Sequence, residues 1–295
     1  MKQNSRRPGL GAVARAAAAA LQWRLLILWT GCLLLPTAVL SLPVWGLLSG
    51  ALDYSVHASV LARQLDALAA FDLRDVFAQN VGTVGTAGVL ALLITLLLSP
   101  LLSGMAITAA RVARAGDSAR AGFRQLTRGA LAQYGRMLRM LVWSVVPLGA
   151  ALALGGVVMN QVARHNESAI TEADAALVSW LGIGVALLLF VLAHATLDAG
   201  RAVLALAPER TSAVKAWWSG VVLLARRPLA VLGVWLAVAL PGCLVAAVLG
   251  VVRANCPPLG VVSVVLGFLI IQLAALALAW TRNARLFALI ALADA

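Results

Sequence analysis

Residues 187–201 read Leu187-Leu188-Leu189-Phe190-Val191-Leu192-Ala193-His194-Ala195-Thr196-Leu197-Asp198-Ala199-Gly200-Arg201. An uncharged run this apolar is a membrane-spanning pattern, and it ends by taking up a carboxylate and then an arginine. Asp198 is the acid that lies near the inside of a long apolar run. His194 precedes it by one helical turn and Arg201 follows by about one turn, so a helix would place all three on one face. The small-residue-then-Arg ending recurs at Ala109-Ala110-Arg111 and at Asn283-Ala284-Arg285. That recurrence predicts a polytopic all-α membrane protein built from repeats.

Composition agrees. Hydrophobic residues make up 62% of 295 positions, charged residues 12%, and the mean hydropathy is +0.96. Soluble domains are nearer half apolar and a quarter charged. Six apolar runs, uncharged apart from Asp198, at 25–48, 84–110, 140–162, 175–199, 229–252 and 259–281, each exceed the length needed to cross a hydrocarbon core of about 30 Å. No segment between them is long and mixed enough for a separate soluble core. The expectation is a single membrane domain over 1–295.

Basic residues set the orientation. Of the 23 Lys and Arg, 19 lie in 1–24, 111–139, 201–228 and 282–295, and four lie in the alternate loops. Seven of the 11 acids take the opposite distribution. The positive-inside rule then makes both termini cytoplasmic. The net charge of +12 suits an anionic inner leaflet. Because that charge follows topology in four separate pieces, nucleic acid is not an expected partner. Arginine far outnumbers lysine and alanine is abundant, as in GC-rich bacterial genomes, so the expected location is a bacterial inner membrane. Three cysteines do not make a disulfide scaffold. Cys243 and Cys256 lie near one outer turn, and Cys32 has no evident partner. Ser5-Arg6-Arg7 resembles part of an export signal, but Arg15 and Arg24 interrupt the apolar region that should follow. It reads as a basic arm, with 12–22 forming a short surface helix.

Between the spans, 59–68 and the turn after Asp72 have the spacing of surface-lying helices, and His57 has no ligand-spaced companion. Asp117 or Ser118 is placed to cap an amphipathic helix over 118–139, with Arg120, Arg124 and Arg128 in an i, i+4 row and Arg136 and Arg139 marking the return to the membrane. Thr211 or Ser212 would cap a second basic segment carrying Lys215, Trp217 and Trp218, ending at Arg226-Arg227-Pro228. With Arg111, these arginines and Lys215 form the expected interface with anionic lipid.

Three units emerge, at about 10–111, 112–201 and 202–290. Each has a basic interfacial helix, a span with Trp then Pro, an outer loop and a second span ending in a small residue and Arg. Pro36, Pro147 and Pro241 fall in the first span of each unit, where a proline removes a helix hydrogen bond and kinks the chain. The kink serves either packing or a central cavity.

The small-residue-Arg exit, the Ser/Thr-capped basic helix and the Arg-rich return together resemble the six-helix membrane domain of some bacterial glycerophosphodiester phosphodiesterases and its uncharacterised stand-alone relatives. The resemblance covers about 10–290. It implies that fold. The catalytic domain of those enzymes is absent, so their activity is not implied.

Motifs for nucleotide, zinc-hydrolase, serine-hydrolase or dithiol chemistry do not occur, and neither a cofactor nor a metal is expected. His194, Asp198 and Arg201 are the candidate substrate or proton site, because ionisable groups at membrane depth are costly. The structural account, in which Asp198 pairs with Arg201 or a neighbouring exit arginine and pins the helix, is preferred. The sequence reading is therefore a non-enzymatic component of a membrane complex or envelope process, with membrane lipids and other membrane proteins as partners. The alternative is a transporter of a lipid or amphiphile.

Overall fold

The computed structural model describes residues 10–52, 74–75, 77–115, 120–207, 209, 211–256 and 260–294. The chain there is α-helical: α1 (Leu10–Ala19), α2 (Trp23–Leu52), α3 (Val81–Ala115), α4 (Phe123–Ser168), α5 (Glu172–Leu206), α6 (Ala213–Arg226), α7 (Pro228–Ala254) and α8 (Gly260–Ala293). Six of these, all but α1 and α6, are long and apolar enough to cross a membrane. This is a multi-pass membrane protein of all-α class.

Local chemistry accounts for the boundaries. Thr171 caps α5 by accepting a hydrogen bond from the Asp174 amide at 3.2 Å, and Ser212 caps α6 by accepting from the Lys215 amide at 3.4 Å. Pro228 opens α7, where a proline needs no amide partner, and Arg227 alone joins α6 to α7. Within the spans, hydroxyls turn back onto carbonyls of the preceding turn, as Thr37 does to Leu33 at 2.8 Å and Thr95 to Ala91 at 2.7 Å. No hydroxyl so placed is left to face lipid unsatisfied. Pro36, Pro147 and Pro241, together with Pro43 and Pro100, all sit inside helices that continue past them.

The basic segment expected as a separate interfacial helix over 118–139 is instead the first part of α4. That helix starts at Phe123, capped by the backbone of Gly122 without a side chain, and continues unbroken for 46 residues. At 1.5 Å per residue it is about 69 Å long, twice the hydrocarbon thickness. Nothing interrupts it because no proline or glycine pair separates Arg128 from Trp143. The Asp117 and Ser118 caps, the 59–68 and Asp72 helices, His57 and Arg6-Arg7 lie outside the described residues. Cys32, Cys243 and Cys256 are free thiols, so Cys243 and Cys256 form no disulfide.

Packing is concentrated at one end, the end that carries Arg111, Arg201 and Arg285. There Leu102–Ile107 of α3, Ala195–Gly200 of α5 and Leu286–Ile290 of α8 are buried without a break. Towards the other end the same helices expose most of their side chains; between Glu172 and Leu192 of α5, Gly182 is the buried position. Beyond the hairpins α2–α3, α4–α5 and α7–α8, the buried end is closed by α3 on the start of α4, α5 on α6, and α8 on α1. Small residues make these crossings close. A Cβ on Gly104 would lie 2.9 Å from the Ala130 Cα, and one on Gly220 would lie 2.7 Å from the Thr196 carbonyl oxygen. The Trp280 indole donates to the Ala17 carbonyl at 3.0 Å and fastens α8 to α1.

Candidate functional site

Asp198 sits at the centre of the buried end, 7% exposed. Helix α5 brings Arg201 back over it one turn later, and Arg201 Nη1 donates to Asp198 Oδ1 at 2.7 Å. The second oxygen, Oδ2, accepts from the Trp235 indole of α7 at 3.1 Å, and Arg285 Nε of α8 lies 3.8 Å away. The Arg285 guanidinium stacks over the Trp235 ring at 4.6 Å, an attraction that strengthens where water is excluded. One carboxylate thus ties three helices together.

A third arginine completes the group. Arg282, one turn before Arg285 on α8, donates to Ser99 Oγ of α3 at 3.1 Å and lies over the Trp29 ring of α2 at 5.5 Å. Asp198, Arg201 and Arg282 line one small void with Trp29, Ser103, Ala106, Asn283 and Leu286. Its volume is about 10 Å³, on the order of what a single water-sized atom requires. The site therefore joins five of the six spans by charge, hydrogen bonds and ring stacking.

No protein-family profile, curated protein or solved structure matches this chain. Chemistry at the site has to be read from its own geometry. A carboxylate with its oxygens occupied by one arginine and one indole, and a second arginine beside it, has neither a free lone pair aimed at a substrate-sized space nor a nucleophile next to it. Among the described residues no group of three or more His, Cys, Asp and Glu could hold a metal ion.

The three residues expected on one face of α5 have different direct partners. Arg201 is bonded to Asp198, whereas His194 packs edge-on against Phe190, ring centroids 4.7 Å apart. The expected lipid-facing residues also divide. Arg120, Arg124, Arg128, Arg139, Lys215, Arg226 and Arg227 are exposed. Arg111 is half-buried and donates twice to the Ala205 carbonyl, at 3.0 and 2.6 Å; Arg136 donates to Leu204 and Ala207 at 2.6 and 2.7 Å. Arg139 reaches Thr211 at 3.3 Å. Arg111 and Arg136 thereby satisfy the last carbonyls of α5, which have no partner within the helix and carry the negative end of its dipole.

Arg282, Trp29, Trp235 and Asn283 were not among the expected site residues. A signal for Arg282 was present: Asp198-Ala199-Gly200-Arg201 and Arg282-Asn283-Ala284-Arg285 share the spacing of two charges one turn apart. Trp29 and Trp235 each precede a proline in their span and were legible as a pair, though not as partners of charge.

Proposed function

We propose that this chain is a bacterial inner-membrane protein whose basic end and termini face the cytoplasm, and that it serves as a non-enzymatic component of a membrane complex or envelope process. The observation that carries the reading is the closed cluster around Asp198. Three helices meet on one carboxylate, and the accompanying void of about 10 Å³ is far smaller than the roughly 300–1,000 Å³ of a small-molecule site. A cluster so tightly packed fixes an arrangement of helices and leaves little space for an organic substrate. The long apolar faces away from it, with Trp180 and Phe268 exposed, supply surface for lipid and for other membrane proteins.

Three repeat units at about 10–111, 112–201 and 202–290, related about an axis near the membrane normal, belong to this reading. Its support is that α3, α5 and α8 each pack on a helix of basic or amphipathic character, the last returning to α1. The fold expected from the phosphodiesterase membrane domains is part of the same proposal. Exposed Arg120, Arg124, Arg128, Lys215, Arg226 and Arg227 would meet the anionic leaflet.

Extraction into polymer-bounded native nanodiscs tests it. The expected result is a second membrane protein co-purifying in fixed ratio, retained in Asp198→Asn. A particle holding this chain and lipid alone, together with solute flux in proteoliposomes that Asp198→Asn abolishes, would overturn it in favour of transport.

A further inference from the structure

We infer that the arginine cluster beside Asp198 is a binding site for a monatomic inorganic anion of the chloride class, held between Trp29, Asn283, Arg201 and Arg282. Charge is the first argument. Arg201, Arg282 and Arg285 surround one carboxylate, which leaves the enclosed group with a formal surplus of two positive charges. The other acids described at this end do not offset it: Glu209 is exposed, and Asp294 pairs with Arg114 at the surface. Buried charge without a counter-charge is strongly unfavourable.

The second argument is independent of charge. Trp29 is 3% exposed and Asn283 0%, and the Trp29 indole N–H and both amide atoms of Asn283 have no hydrogen-bond partner. Buried donors without an acceptor are rare in folded proteins. Both residues line the void, as do Arg201, Arg282 and Asp198, whose oxygens are taken up by Arg201 and Trp235. The residues with unused donors and those with surplus positive charge therefore line one space, and an acceptor bearing negative charge answers the donors and the charge, though not Asn283 Oδ1.

Size selects the ligand. A void of about 10 Å³ admits a single atom. That size favours a monatomic ion over phosphate, sulfate, carboxylates and lipid headgroups. A water molecule would satisfy the donors and leave the charge uncompensated, so it is the competing occupant that the test must separate.

The full chain, in nanodiscs of zwitterionic lipid, is melted in sodium gluconate with chloride or bromide replacing gluconate at constant ionic strength. A ligand that binds only the folded state raises Tm with concentration according to its affinity. Chloride and bromide are expected to raise Tm saturably, and sulfate and phosphate to do no more than gluconate. Asn283→Leu removes the amide at similar bulk, Trp29→Phe removes the indole N–H with part of the ring system, and each should weaken the apparent chloride affinity about tenfold. Coincident chloride and gluconate curves would overturn the assignment, as the water-occupied site predicts. So would a larger saturable response to sulfate or phosphate, or unchanged chloride affinity in both variants. Should either variant fail to fold, the chloride NMR line width of the wild-type chain decides: broadening displaced by bromide supports the site, and its absence sinks it. The inference stands apart from the proposed role, since a halide effect neither requires nor excludes a protein partner.

Discussion

Trp235 donates its indole N–H to Asp198 Oδ2 over 3.1 Å, a bond between α7 and α5 in the buried end of the molecule. It gives the carboxylate a neutral partner in addition to its arginines. Trp235→Phe keeps an aromatic ring under Arg285 and removes this donor together with the smaller ring of the indole. A hydrogen bond to a charged group contributes about 1.5–3 kcal/mol, and the variant is expected to melt earlier in detergent by a corresponding amount. An unchanged melting temperature would show that the bond contributes nothing.

Arg201→Ala and Asp198→Asn should differ in cost. The first strands a buried carboxylate that Arg285 approaches only to 3.8 Å, and breaking such a pair from one side costs about 3–5 kcal/mol. The second turns an NH2 group towards a donor where an oxygen accepted, and leaves Arg201, Arg282 and Arg285 facing no carboxylate, so it should cost more. Combining the two substitutions should cost less than their sum. Additive losses in a thermal double-mutant cycle would contradict a direct pair.

Glycine contacts provide a packing test with its own control. A methyl at Gly220 would lie 2.5 Å from the Gly200 amide nitrogen and 2.7 Å from the Thr196 carbonyl oxygen, both backbone, so the helices must separate. Gly220→Ala should destabilise by about 1–3 kcal/mol. Gly233→Ala meets nothing within 4 Å in its helix and should be neutral or slightly stabilising. Equal melting shifts for the two would refute the close crossing of α5 and α6.

Reporter fusions after residues 70, 168 and 256 should read as periplasmic, and fusions after 120, 215 and 290 as cytoplasmic. The 19-to-4 division of Lys and Arg motivates this orientation. A cytoplasmic signal from the fusion at 168 would reverse it.

The spans were legible because uncharged length and hydropathy determine what can cross a bilayer, and all six appear as helices at or around the expected runs. The continuity of α4 was not legible. An amphipathic stretch followed by an apolar one reads the same whether or not a bend separates them, and only packing of Leu126, Ala130 and Met137 against neighbours decides it. At the site, Asp198 stood out by its chemistry and Arg201 by its spacing. Arg285 was visible as an exit arginine, but its approach to Asp198 depends on α8 lying beside α5, a relation no local pattern encodes. Arg111 and Arg136 read as surface cations because charge alone does not distinguish a lipid phosphate from a helix-terminal carbonyl.

The gathering of buried side chains at one end gives the molecule two mechanical halves. Near Arg111, Arg201 and Arg285 the helices are locked by contact and charge. Beyond them, α2, α5 and α8 expose Leu, Val and Phe side chains that acyl chains would contact in a bilayer. A thinner bilayer tilts long helices to hide their apolar length, and here tilting at the free ends turns about the locked base. Bilayer thickness and lateral pressure would then act as a lever on the arginine cluster, so lipid chain length, as well as headgroup charge, is a variable that should shift its stability.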